Sequence, residues 1–130
     1  MKTEQPQGVA LIVSRQRMIA EMLIDYLAAH SAITASWVPD LEQVDSSRDV
    51  GLVVLDLDPL PKTGFTEIAE AKAKLDCPVA ILTEGQDTDL FLRLVNAGAA
   101  GILQKQKPLR SVVATLLLLI AGERYVPVGL

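Results

Sequence analysis

The stretch Val50–Pro59 reads VGLVVLDLDP and decides the fold. From Leu52 to Leu55 it is apolar without interruption, carries two valines at its centre and is too short for a helix. It therefore reads as a strand buried on both faces, which delivers two carboxylates, Asp56 and Asp58, where it ends. Four runs of the same character lie around this strand, which spans Val50–Leu57: Val9–Val13, Ile33–Val38, Pro78–Leu82 and Gly101–Leu103. Each is followed or preceded by a stretch of helical spacing, so β/α repeats five times. Strands covered on both faces need helices on both sides of the sheet. The fold class is α/β, a doubly wound, five-stranded parallel sheet in a three-layer sandwich.

The helices are placed by their apolar stripes and their ends. Met18, Ile19, Met22, Leu23, Tyr26 and Leu27 form one face, ending near Ala29. Phe65, Ile68, Ala71 and Leu75 form a second, with Glu70 and Lys74 four apart at its surface. Asp87 is an N-cap for a third helix, whose face is Leu90, Phe91, Leu94 and Val95 and whose stop is Gly98. Pro108 suits the first position of the last helix, which stops before Gly122. A short helix is expected over 39–47. The last helix has almost no polar side, since Val112, Val113, Leu116, Leu117, Leu118, Leu119 and Ile120 crowd it. A peripheral helix of an α/β domain normally keeps a solvated face, so this one is expected to set one face on the sheet and another on a partner subunit, the alternative being deep burial in its own domain.

Composition narrows the function classes. The chain has 130 residues, half of them apolar, and its net charge of −4 leaves no basic stripe to neutralise a phosphate backbone. Direct DNA or RNA binding by these residues is not expected. The single cysteine, Cys77, forms no internal disulfide, and the cytoplasm is the expected compartment. The longest strongly apolar stretch, Val112–Ala121, is about half of the roughly 20 residues that a membrane-spanning helix requires, so no membrane partner is expected. Only Met1–Gln7 and the tail after Arg124 look detachable.

In an open α/β sheet, polar residues at the carboxyl ends of the strands converge on one crevice. The first strand ends in Ser14-Arg15, the third in Asp56 with Asp58 two residues on, the fourth in Thr83 and the fifth in Lys105. A carboxylate, a hydroxyl and an ammonium from three strand ends make a phosphoryl site: nucleophile, oxygen-binding donor and counter-charge. No Gly-rich phosphate loop, paired acid and base or metal-ligand spacing accompanies them, which disfavours a small enzyme or metabolite-binding protein.

The segments VALIVSRQRMIAEMLIDYL, VGLVVLDLDPLPKTGF, PVAILT and NAGAAGILQK, with AGERYV after the last helix, resemble the receiver (CheY-like) domain of bacterial two-component response regulators. GAAGILQK and AGERYV resemble the NarL/LuxR type in particular. The resemblance runs from about Val9 to about Val126, and its most specific pieces are the LDL strand end with Gly64 eight residues after Asp56, and the stretch ending in Lys105. It implies strand order 2-1-3-4-5, Asp56 as phosphoacceptor, Thr83 as the switch hydroxyl and Lys105 as the phosphate-contacting lysine. It also implies a histidine kinase as phosphoryl donor and Mg²⁺ as cofactor.

The chain departs from that pattern at two places. Where the family has two consecutive acids that hold Mg²⁺, this chain has Ser14 and Arg15, and Ile102 stands at the position of the switch aromatic. Replacing both acids by a hydroxyl and a guanidinium reverses the local charge, so no cofactor is expected, with Asp56 and Asp58 the remaining candidates for a metal. Arg15 is expected to pair with Asp56 or Asp58 in the metal's place. The resulting expectation is a non-enzymatic, atypical receiver over 8–122 that mediates dimerisation through the last helix. Residues 1–7 would be a disordered tail and 123–130 the start of a linker to a LuxR-type DNA-binding domain. The alternative is a receiver that still accepts a phosphoryl group on Asp56 from a histidine kinase.

Overall fold

The computed structural model describes residues 9–45, 49–58 and 65–127. Its order is β1 (Val9–Val13), α1 (Arg17–His30), β2 (Thr34–Val38), β3 (Leu52–Asp56), α2 (Thr66–Lys74), β4 (Val79–Thr83), α3 (Thr88–Asn96), β5 (Gly101–Gln104) and α4 (Leu109–Ile120). The strands form one sheet in the order β2-β1-β3-β4-β5, and each neighbouring pair is parallel. The expected class and topology both stand. In place of the short helix expected over 39–47 there is a single 3-10 turn, Leu41–Gln43, and residues 46–48 lie outside the description.

The central strands explain the continuous apolar runs. Leu52, Val53 and Val54 on β3 and Val79, Ala80 and Ile81 on β4 are fully buried, because alternate side chains enter two separate cores. On one face Leu11, Val53, Leu55, Ile81 and Ile102 pack against Ile68, Ala71, Phe91 and Leu94 of α2 and α3. On the other, Ile12, Val54, Leu82 and Leu103 pack against Ala20, Leu23 and Leu27 of α1 and against Val112, Val113, Leu116 and Leu119 of α4.

α1 differs from the expected stripe. Its buried residues are Ala20, Leu23 and Leu27, whereas Met18 is 73% and Met22 45% exposed. At 100° per residue, positions 20, 23 and 27 share one face, and the two methionines fall on the opposite side of the helix. α4 buries Val112, Val113, Leu116 and Leu119 and leaves Leu118 half exposed. No helix among the described residues is long and apolar enough to cross a membrane.

Both ends of α3 are capped as the sequence predicts. The Asp87 side chain accepts from Leu90 N–H at 3.2 Å, and Ala99 N–H returns to Leu94 O at 3.1 Å to close α3. Pro108 sits one residue further out than expected, as the N-cap of α4. α4 ends with Gly122 at φ 99°, where Gly122 N–H bonds Leu119 O and Glu123 N–H bonds Leu118 O. That turn aims the chain back at the sheet. The segment after Arg124 is therefore not detached at its start, because Tyr125 pairs in parallel with Gly101 on the outer edge of β5 and Val126 packs against the core. An edge strand with free N–H and C=O groups attracts such a partner. Met1–Gln7 and Gly64 lie outside the described residues.

Candidate functional site

The carboxyl ends of β1, β3, β4 and β5 carry Ser14, Asp56, Asp58, Thr83 and Lys105 to one place. Lys105 lies at its centre, with its Nζ 2.7 Å from Asp56 Oδ1 and 2.7 Å from Asp58 Oδ2. The three side chains are only 8%, 5% and 19% exposed in the order Lys105, Asp56, Asp58, so these ion pairs are much less screened than surface ones. The Ser14 hydroxyl, also buried, donates to Asp56 Oδ2 at 2.6 Å. Thr83 donates to Asp58 Oδ1 at 2.6 Å, and Glu84 N–H approaches both Asp58 oxygens at 3.0 and 3.1 Å. Every carboxylate oxygen of the pair thus has a donor.

The electrostatics follow from these contacts. Burial alone would raise the pKa of Asp58, but the hydrogen bonds from Lys105, Thr83 and Glu84 N–H outweigh it and hold the carboxyl below its usual value. Burial likewise works against the charged form of Lys105, and its bonds to Asp56 and Asp58 override this and raise its pKa. The site is a compact, mostly buried assembly of two carboxylates around one ammonium.

Neighbouring backbone fixes the donors. Gln16 N–H donates to Ser14 Oγ at 2.9 Å and Gly85 N–H to Thr83 Oγ1 at 3.0 Å, so each hydroxyl has one lone pair engaged and its proton aimed at a carboxylate. Trp37, at the end of β2, donates its ring N–H to Ser14 O at 2.7 Å. Neither this bond of Trp37 nor the position of Gln16, whose Oε1 lies 3.4 Å from Lys105 Nζ, carried a signal in the sequence.

Arg15 is the correction. Its side chain is 80% exposed and meets Asp40 at 3.8 Å, not Asp56 or Asp58. Successive residues at a strand end point to opposite sides, and Ser14 takes the inward one. A second cation would also find both carboxylates already paired with Lys105. Ile102, at the position of the switch aromatic, is fully buried in the core with α2 and α3. Beside the site lies an open cleft of about 460 Å³, lined by Ser14, Arg15, Asp40, Asp56, Asp58 and Glu67 among others.

No protein-family model matches the sequence, and no curated protein matches it. Solved structures do match. A LuxR family DNA-binding response regulator from Silicibacter pomeroyi aligns with a TM-score of 0.79 at 19% identity, covering 92% of this chain and 97% of that one. The signal receiver domain of the response regulator NarL from Mycobacterium tuberculosis aligns at 0.73 and 16% identity, covering 93% and 100%. The isolated receiver domain of RcsB from Salmonella enterica serovar Typhimurium, solved in the presence of the phosphomimetic BeF₃⁻, aligns at 0.67 and 17%, covering 92% and 93%. The chain has the receiver fold seen in these LuxR/NarL-type response regulators.

Proposed function

We propose that residues 8–122 are an atypical receiver domain of a two-component response regulator, a cytoplasmic signal-input module whose site is held by an internal cation. The observation that carries this reading is Lys105 Nζ bridging Asp56 and Asp58 at 2.7 Å each while Ser14 donates to the remaining Asp56 oxygen. The donor set does not suit Mg²⁺. That ion wants near-octahedral oxygen ligands, usually with one or two carboxylates turned toward it. Here Ser14 supplies a hydroxyl where a carboxylate is needed, Arg15 faces Asp40, and both remaining carboxylates turn an oxygen to Lys105, whose charge offsets one of theirs. In this reading the domain is not an enzyme. It signals through assembly, with the exposed side of α4 around Leu118 as the dimer contact, and regulates a LuxR-type DNA-binding output.

A second reading is favoured by the presence of Asp56, Thr83 and Lys105 at three adjacent strand ends. There an Asp56 oxygen attacks the phosphorus of a kinase phosphohistidine, the histidine nitrogen leaves, and an acyl phosphate forms. For that, Asp56 must first give up the Ser14 or the Lys105 bond. Intact-mass spectrometry after incubation with a small phosphodonor, with and without Mg²⁺, separates the two. The proposed reading expects no mass gain in the wild type. A gain of one phosphoryl group that vanishes in Asp56→Ala supports the second.

A further inference from the structure

The outer side of β5 is bonded to the C-terminal segment. Ile102 N–H turns away from β4 and donates to Tyr125 O at 3.1 Å, and Tyr125 N–H reaches Ala100 O at 3.4 Å. The pairing is parallel, Gly101 with Tyr125. It exists because position 101 has no side chain: a Cβ there would lie 2.8 Å from Tyr125 O and 2.8 Å from Leu119 Cδ2. The Gly122 turn points the chain at this edge, and Val126 packs against the core that also contains Ile102.

The other end of the same strand enters the site. Lys105 N–H bonds Thr83 O at 2.9 Å, and its Nζ bridges the two carboxylates. From Ile102 to Lys105 is roughly 10 Å of extended backbone at a strand's rise per residue. The Ile102 side chain is fully enclosed, so it offers no inward and outward positions to report a change. The backbone does offer a route, since one short strand is tied to the site at one end and to the C-terminal segment at the other.

We propose that residues 123–126 form a strap whose docking on β5 is set by the state of Lys105. A displaced Lys105 shifts β5 and loosens the Ile102–Tyr125 bond, and release of that bond frees the C-terminal segment. The regulatory use of this device rests on the reading of the site as a signal input, while the docking itself does not.

Amide hydrogen exchange on the full chain, resolved by residue, tests it in wild type, Lys105→Met and Val126→Asp. Rates at Ile102 are taken relative to Val54 in the central strand, which removes any change in global stability. Val126→Asp disrupts the packing of the strap without touching the site, and the relative rate at Ile102 should rise about tenfold or more. Lys105→Met acts from the site end and should raise it in the same direction, by at least about threefold. Acceleration confined to Glu84 and the residues next to 105 would overturn the coupling. An unchanged Ile102 rate in Val126→Asp would overturn the strap. No phosphodonor is involved, so a failure of the receiver reading shows in the mass experiment and a failure of the strap shows here.

Discussion

β1 and β3 lie side by side and end at the same crevice, yet the charged residues at their ends behave differently. Asp56 is almost fully buried and bonded on both oxygens, while Arg15 is 80% exposed and reaches only Asp40. Both are ionised groups at the mouth of one site. The difference is that Asp56 finds a cation and a hydroxyl already held in place, whereas Arg15 would have to lose its hydration beside carboxylates already paired with Lys105. Sequence position brings a group to a strand end. Alternation along the strand and the charge already present decide whether it enters.

That contrast predicts a steep ranking of substitutions. Lys105→Met should destabilise the fold most, by about 3 kcal/mol in urea unfolding at neutral pH, because two carboxylates then face each other without their cation. A loss below about 1 kcal/mol would mean that the buried half of the comparison is wrong. Ser14→Ala leaves Asp56 Oδ2 without its hydroxyl donor and should cost about 1.5 kcal/mol. Arg15→Ala should change stability by less than about 0.5 kcal/mol, the value of an exposed ion pair. If Arg15→Ala matched Ser14→Ala, the guanidinium would be taking part in the site after all.

The pH profile sharpens the same comparison. Asp58 has a folded pKa below its ordinary value of 3.8, so between the two the unfolded chain binds more protons and stability rises with pH. Its contribution is complete above 3.8 and is lost as pH falls through the lower folded value. Lys105 works in the opposite sense. Its folded pKa lies above 10.5, so its contribution is complete below 10.5 and is lost as pH rises through the higher folded value. Lys105→Met should flatten the alkaline limb, which denaturation midpoints across the pH range would show.

Much of this architecture was legible because it rests on periodicity. The unbroken apolar runs of β1, β3 and β4, the Asp87 cap and the stop at Gly98 are local signals, and each appears where it was read. The gathering of Asp56, Asp58, Thr83 and Lys105 was legible too, since parallel strands place their carboxyl ends together. What stayed hidden depends on side-chain direction and long-range pairing. Nothing local tells that Met18 and Met22 face outward, that Arg15 turns to Asp40, or that Gln16 and Trp37 brace Ser14. The return of Tyr125 to β5 was hidden for the same reason, because a single bridged residue has no period to detect.

The central claim is that Lys105 is the cation of this site, and Mg²⁺ titration tests it most directly. Trp37 is the only tryptophan and its ring donates to the Ser14 carbonyl, so its fluorescence reports on the site. The account predicts a flat response for the wild type through millimolar Mg²⁺ and a saturable one for Ser14→Asp, which adds the carboxylate that the donor set lacks. A saturable change in the wild type that Asp56→Ala abolishes would contradict it.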